Sequence, residues 1–163
     1  MQIYNDFNTT VCKALEEIDP KWLSYDGIVI CGTHSPDNWE QQIEKIREAR
    51  EKGIPALLIC FGYQLGAVEY ARNVLGIKDA TSEEFGQGSQ VVKKRVGGLK
   101  VGLHDGETYW NNYEVIPSMI RRWEMPDNFV ACQFHPEYQS SKDKPHKLLV
   151  EFINKCKKYA VVS

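Results

Sequence analysis

The sequence predicts an α/β fold, a three-layer sandwich in which helices cover both faces of a mostly parallel central sheet. Three observations predict it. Short runs ending at Cys31, Cys60 and Phe134 are predominantly apolar, as strands buried on both faces are. Amphipathic stretches stand between and after these runs. From Gly27 to Leu75 the order is strand, helix, strand, helix, which implies a crossover between parallel neighbours.

Each element follows from local residues. Gly27-Ile28-Val29-Ile30-Cys31 is β-branched and opens on glycine, so it reads as a buried strand. Residues 38–52 place Trp39, Ile43, Ile46 and Ala49 at helical spacing, and Gly53 stops the run. Pro55 to Cys60 reads as a second buried strand. Residues 63–75 carry Leu65, Val68, Tyr70, Ala71 and Val74 on a second helix, ended by Gly76. Residues 90–123 differ: short β-like pieces (Val91-Val92, Leu99-Lys100-Val101, Tyr113 to Ile116) alternate with Gly-Gly and Asp-Gly turns. That pattern predicts a small antiparallel insert or edge hairpin. Phe129 to Phe134 is the third strand, and residues 144–159 form a last amphipathic helix through Leu148, Leu149, Phe152, Ile153 and Cys156. The 163 residues suit one domain, 1–163.

Composition excludes several classes. The formal net charge is -2 with no long run of one sign, so no nucleic-acid partner is expected. No stretch of eighteen apolar residues exists to span a membrane, and the N-terminus lacks the basic start and apolar run of a signal peptide. The five cysteines are odd in number and scattered, without a C-x-x-C pair. Neither a metal site nor a disulfide framework is indicated, and a reducing cytoplasm fits. No cofactor-binding motif or P-loop is found.

Two spots carry chemistry. At Ile59-Cys60-Phe61-Gly62 a buried strand meets a helix, and a nucleophile on such a sharp turn stands clear of the sheet. The helix N-terminus would stabilise charge on the sulfur, and the Phe61 N–H would be poised as an oxyanion donor. A lone cysteine at a strand end is more often a small buried hydrophobe, the reading given to Cys31 and Cys132. Cys60 differs because strand, Cys-x-Gly and helix coincide. The second spot is Gln133-Phe134-His135-Pro136-Glu137. His135 follows a strand, at the edge where ligands collect in parallel sheets. Glu137, two residues on, would point to the same side and hold the imidazole tautomer that takes a proton from sulfur. Alone, this pair reads more readily as a loop histidine and a solvated carboxylate.

Taken together, the motifs resemble class I glutamine amidotransferases. Cys60-Phe61-Gly62-Tyr63-Gln64 resembles their nucleophile signature and Phe134-His135-Pro136-Glu137 their second signature. The likeness is greatest to the glutaminase domain of CTP synthase, through Tyr70 to Ala80, Thr81-Ser82-Glu83-Glu84-Phe85 and Tyr113-Glu114-Val115, and spans about residues 20–155. The resemblance implies a flavodoxin-like sandwich. It implies Cys60 as nucleophile, His135 as general base and Glu137 as its orienting partner. It implies an oxyanion hole from Phe61 with the Gly32-Thr33 loop, and substrate contacts from Gln64, Glu84 and Tyr113. Glutamine, or another γ-glutamyl compound, would be the substrate, and a separate synthetase or ligase would take the ammonia.

The sequence departs from that family at four places. Thr33 replaces a glycine of the oxyanion loop, and would be strained if the position needs positive φ. Leu58 replaces a glycine two residues before Cys60 and would crowd the turn unless a repacked neighbour absorbs it. Asn112 stands where an arginine binds the substrate carboxylate, a bidentate pairing that asparagine cannot copy. Trp110 and Tyr109 would either line an altered pocket or pack on an edge strand, the latter favoured for Trp110. Finally, only about 25 residues precede the Asp26-Gly27 strand, too few for a full strand–helix–strand unit of roughly 30 or more. A shortened N-terminus is expected, with an element lost or the segment paired differently. Three functions follow as expectations: a glutaminase serving a separate synthetase, a γ-glutamyl hydrolase acting on a γ-glutamylated amine or metabolite, and a non-catalytic binding or regulatory paralogue.

Overall fold

The computed structural model describes residues 1–162. Its centre is a four-stranded parallel sheet: β1 (Gln2–Tyr4), β2 (Ile28–Ile30), β3 (Ala56–Ile59) and β9 (Phe129–Cys132), in the order β1-β2-β3-β9. The register sets Ile28 beside Ala56 and Leu58 beside Ala131. Side chains alternate between two cores, as strand geometry requires. Ile28, Ile30, Ala56 and Leu58 face α2 (Trp39–Lys52) and α3 (Phe61–Asn73). Val29, Cys31, Leu57 and Ile59 face α1 (Thr9–Ile18) and α5 (Lys147–Val162). The sandwich therefore has three layers, and strands buried on both faces explain the uninterrupted apolar runs.

The N-terminal segment is short but complete in kind. β1 pairs parallel with β2 at the sheet edge, and α1 packs beside α5. The unit fits into few residues because β1 has only three and a 3-10 turn at Trp22–Ser24 leads straight into β2. Trp22 anchors that turn, buried with its indole N–H donating to Glu16 at 2.8 Å.

The insert is larger than expected. It begins at β4 (Ala80–Ser82), which pairs parallel with β5 (Ser89–Lys94), while β5 pairs antiparallel with β8 (Tyr113–Val115). Between them, β6 (Lys100–His104) and β7 (Glu107–Asn111) form a separate antiparallel hairpin. Its turn is Asp105-Gly106, with φ of 54° and 83°, the doubly left-handed turn that matches strand twist. A short helix, α4 (Pro117–Arg122), follows β8. The last helix starts at Lys147, later than expected, because His146 caps it: Leu148 N–H donates to His146 Nδ1 at 3.1 Å. None of the helices of the described residues is long and apolar enough to cross a membrane.

Candidate functional site

The carboxyl ends of β2, β3 and β9 share one rim, and three segments leave it side by side. The first is the turn at Cys60. This residue joins β3 to α3 with φ 56° and ψ -102°, a conformation rare for a residue with a Cβ. Such strain costs on the order of 1–3 kcal/mol and persists only where neighbours hold it. Here the Cys60 N–H donates to Cys132 O at 2.9 Å, and its carbonyl accepts from Gln64 N–H at 3.1 Å. Gly62 permits the tight approach, since a Cβ there would stand 2.3 Å from the Ile30 carbonyl oxygen. As the first residue of α3, Phe61 has an N–H with no carbonyl of its own helix to bind.

The crowding expected from Leu58 is absorbed across the turn. A Cβ at Gly66 would lie 2.9 Å from Leu58 Cδ1 and 3.0 Å from the Trp123 ring. The missing side chain on α3 makes the room that Leu58 occupies.

The second segment is Gly32-Thr33-His34. A Cβ at Gly32 would meet Phe7 Cδ2 at 2.9 Å, His135 Cε1 at 3.2 Å and Cys60 Cβ at 3.6 Å. Cys60 and His135 thus border the same glycine. Thr33 is not among the residues with positive φ, so the strain foreseen for threonine does not arise. Instead Thr33 Oγ1 accepts the Ser35 N–H at 3.0 Å, and its hydrogen bond to Asp6 holds that carboxyl below the usual range.

The third segment carries His135 and Glu137. The His135 N–H donates to Thr108 O at 2.8 Å, which fixes the residue against the hairpin. Its ring is 1% exposed, and Nδ1 lies 3.1 Å from Glu137 Oε2. The carboxylate therefore holds a proton on Nδ1, and Nε2 is the nitrogen left to exchange a proton with the sulfur. That Nε2 is buried with no partner, as is Glu137 Oε1. Burial opposes the imidazolium, but hydrogen bonding and charge from Cys60 and Glu137 outweigh it and raise His135 to about 10. Cys60 is near enough for that influence, yet its thiol is directed elsewhere: Sγ donates to Trp110 O at 3.5 Å and accepts from Gln133 Nε2 at 3.6 Å. Sulfur thus lies on the hairpin carbonyl, and the imidazole Nε2 is unpaired.

Sulfur opens on a cavity of about 240 Å³. Of the residues singled out in the sequence, Thr33, Cys60, Phe61, Gln64, Glu84, Asn112 and Tyr113 line it. Gly32, His135 and Glu137 stand behind it, and His135 faces a second cavity of about 100 Å³. Phe7, His34 and Trp110 border both spaces and form the partition. Trp110 is therefore a wall of the pocket, which corrects its reading as edge packing. Tyr109 does pack at the edge, against Phe134 and under Lys100 Nζ at 3.7 Å. Gln64 is 4% exposed, and its amide donates to Tyr113 O at 2.9 Å and Gln133 Oε1 at 3.2 Å. Glu84 is half-buried, and burial pushes its carboxyl up. Phe7, His34, Leu99 and Asn111 also line the cavity and were not foreseen. Asn111 and Gln133 adjoin motifs already noticed, which is the one signal that would have found them; Phe7 lies in the short N-terminal segment, which carries no motif.

Comparison with known proteins bears on the family and the fold. Residues 4–155 match the family model described as Glutamine amidotransferase class-I. CTP synthase of Methanoculleus marisnigri is 34% identical over 200 aligned positions, covering 87% of this chain and 38% of that protein. CTP synthase of Encephalitozoon cuniculi is 33% identical, covering 79% of this chain and 33% of that protein. The chain thus spans about a third of the length of these curated relatives. The alignment with the first is longer than the chain itself, so that relative carries additional segments within the aligned region. Among solved structures, the glutaminase domain of Trypanosoma brucei CTPS with bound acivicin shares the fold. The TM-score is 0.76 at 20% identity, over 97% of this chain and 94% of that one.

Proposed function

The chain belongs to the class I glutamine amidotransferase family, and from that premise we propose that it hydrolyses a γ-glutamyl amide through a thioester on Cys60. The observation that carries this reading is the strained turn at Cys60 set beside a buried His135–Glu137 pair whose Nε2 has no partner.

The steps follow from the positions. Sulfur leaves Trp110 O and passes its proton to His135 Nε2. The thiolate attacks the amide carbon, and the carbonyl oxygen becomes an oxyanion. The N–H groups of Phe61 and of the Gly32-Thr33 loop would hold that charge without reorganising. His135 returns the proton to the leaving nitrogen, and ammonia departs as the C–N bond breaks. Water, deprotonated by His135, then cleaves the thioester, releasing the acid and restoring the thiol. Glu137 keeps the imidazole in the required tautomer throughout. No step requires a metal or organic cofactor.

With glutamine as substrate the products are glutamate and ammonia, the latter for a separate synthetase or ligase. Five free cysteines suit a reducing compartment such as the cytoplasm. The alternative substrate is a γ-glutamylated amine. The observation behind it is the Gly32-Thr33-His34 loop, which departs from a glycine-rich oxyanion loop beside the position of the leaving nitrogen. The test is a mass-spectrometric search for an acyl adduct on Cys60 after brief incubation with glutamine or γ-glutamyl amines. An adduct on Cys60, absent from Cys60→Ala, is expected; steady hydrolysis without any adduct, and equal in Cys60→Ala, would refute the reading.

A further inference from the structure

The charge lining the Cys60 cavity is one-sided. Glu84 contributes a carboxylate there, half-buried, and burial is what raises it; no cation is paired with it. No lysine or arginine lines the space. The basic side chains nearby in sequence are engaged elsewhere. Arg95 is bound to Glu114 at 2.7 Å, and Lys100 lies over the Tyr109 ring. Two amides of the wall are also committed. That of Gln64 donates to Tyr113 O and Gln133 Oε1, and that of Asn111 donates to Tyr113 O at 3.0 Å, leaving Asn111 Oδ1 buried without a donor. The wall therefore offers a carboxylate with no basic side chain of the described residues beside it.

A free α-amino acid brings two charges into such a pocket. Its ammonium meets Glu84. Its carboxylate finds no lysine or arginine among the described residues of the lining, only groups such as the exposed Asn112. A buried charge without a partner is costly.

We propose that the preferred substrate is a cationic amide: a γ-carboxamide whose acyl part keeps its free amine but has its α-carboxyl absent or neutralised, as in an amide-capped or peptide-linked glutaminyl group. This rests on the reading of Cys60 as the acylated residue. The reaction is otherwise the same: the γ C–N bond breaks, ammonia leaves, and water supplies the oxygen of the new γ-carboxyl.

Two compounds differing at one group test it. L-glutamine carries the α-carboxylate; L-glutamine α-amide replaces it with a carboxamide. Hydrolysis is followed as ammonia release, with the γ-acid product identified by mass spectrometry. Binding is measured separately by calorimetry on Cys60→Ala. The α-amide is expected to exceed glutamine by about tenfold or more in both kcat/KM and affinity, the scale of a lost charge-assisted hydrogen bond. N-acetylglutamine, which lacks the ammonium, is expected not to bind. Asn112→Arg should shift the ratio back toward glutamine by a similar factor, and Glu84→Gln should abolish preference for the free amine. Equal or better use of glutamine overturns the inference while leaving the thioester reading intact. Selective binding of the α-amide without any turnover overturns it together with the thioester reading. Failure of either compound to bind overturns it.

Discussion

The turn at Cys60 and the hairpin at 99–111 meet at one sulfur atom, but they are built in opposite ways. The turn is local. A four-residue buried strand, a cysteine at φ 56°, a glycine two residues on and a helix suffice to define it. The hairpin is positioned by distant groups. His146, at the start of α5, receives Leu148 N–H on Nδ1, so its Nε2 carries the proton and donates to Glu107 at 2.9 Å. Thr108 O accepts from the His135 backbone, and Thr108 Oγ1 accepts from Gln139 at 2.7 Å. Through these bonds β7 brings the Trp110 carbonyl to Cys60 Sγ. The reactive atom is thus set by adjacent residues, and its surroundings by contacts dozens of residues apart.

Substitutions can separate the two. The largest effect is expected at the turn. Cys60→Ser should lower amide hydrolysis by about a thousandfold or more while far-ultraviolet circular dichroism stays unchanged. Wild-type turnover by that variant would remove the turn from the mechanism. At the hairpin, Glu107→Ala leaves His146 Nε2–H without an acceptor, costing about 1–3 kcal/mol of stability. It should also lower kcat/KM by about tenfold as the Trp110 wall loosens. Urea unfolding and steady-state assays measure the two effects; an unchanged kcat/KM would show that the wall does not depend on this anchor.

Gly66 tests how far the turn is truly local. Alanine in a helix ordinarily stabilises by up to about 1 kcal/mol relative to glycine. Here Gly66→Ala should destabilise by about 1–3 kcal/mol, because the added carbon meets Leu58 and Trp123. In a Leu58→Ala background Gly66→Ala should cost less, giving a non-additive double-mutant cycle by urea denaturation. Strict additivity would mean that the two positions do not share the space.

The smallest effect concerns pH. His135 is raised from 6.5 to about 10 in the folded protein. A raised folded value means that the stabilisation is fully present below 6.5 and is lost as pH rises toward about 10. The melting temperature should therefore fall over that interval, and fall less steeply in His135→Gln. Parallel curves for the two proteins would deny the coupling of imidazole to Cys60 and Glu137.

Periodicity and composition alone determined the layers, because burial on both faces leaves β2, β3 and β9 no polar positions and amphipathic helices need one apolar stripe each. Adjacent residues likewise marked Cys60 as a strand-to-helix turn and put Glu137 within reach of His135. The foreseen strain at Thr33 and crowding at Leu58 were not realised, since backbone angles and the space beside Gly66 are outcomes of packing. Tertiary structure also decided that Phe7 and Trp110 wall the pocket, that Gln133 reaches the sulfur, and that Glu84 stands in the cavity without a cation. These are long-range meetings. Their cause is the closure of separate elements around one rim, and no short stretch of residues encodes that closure by itself.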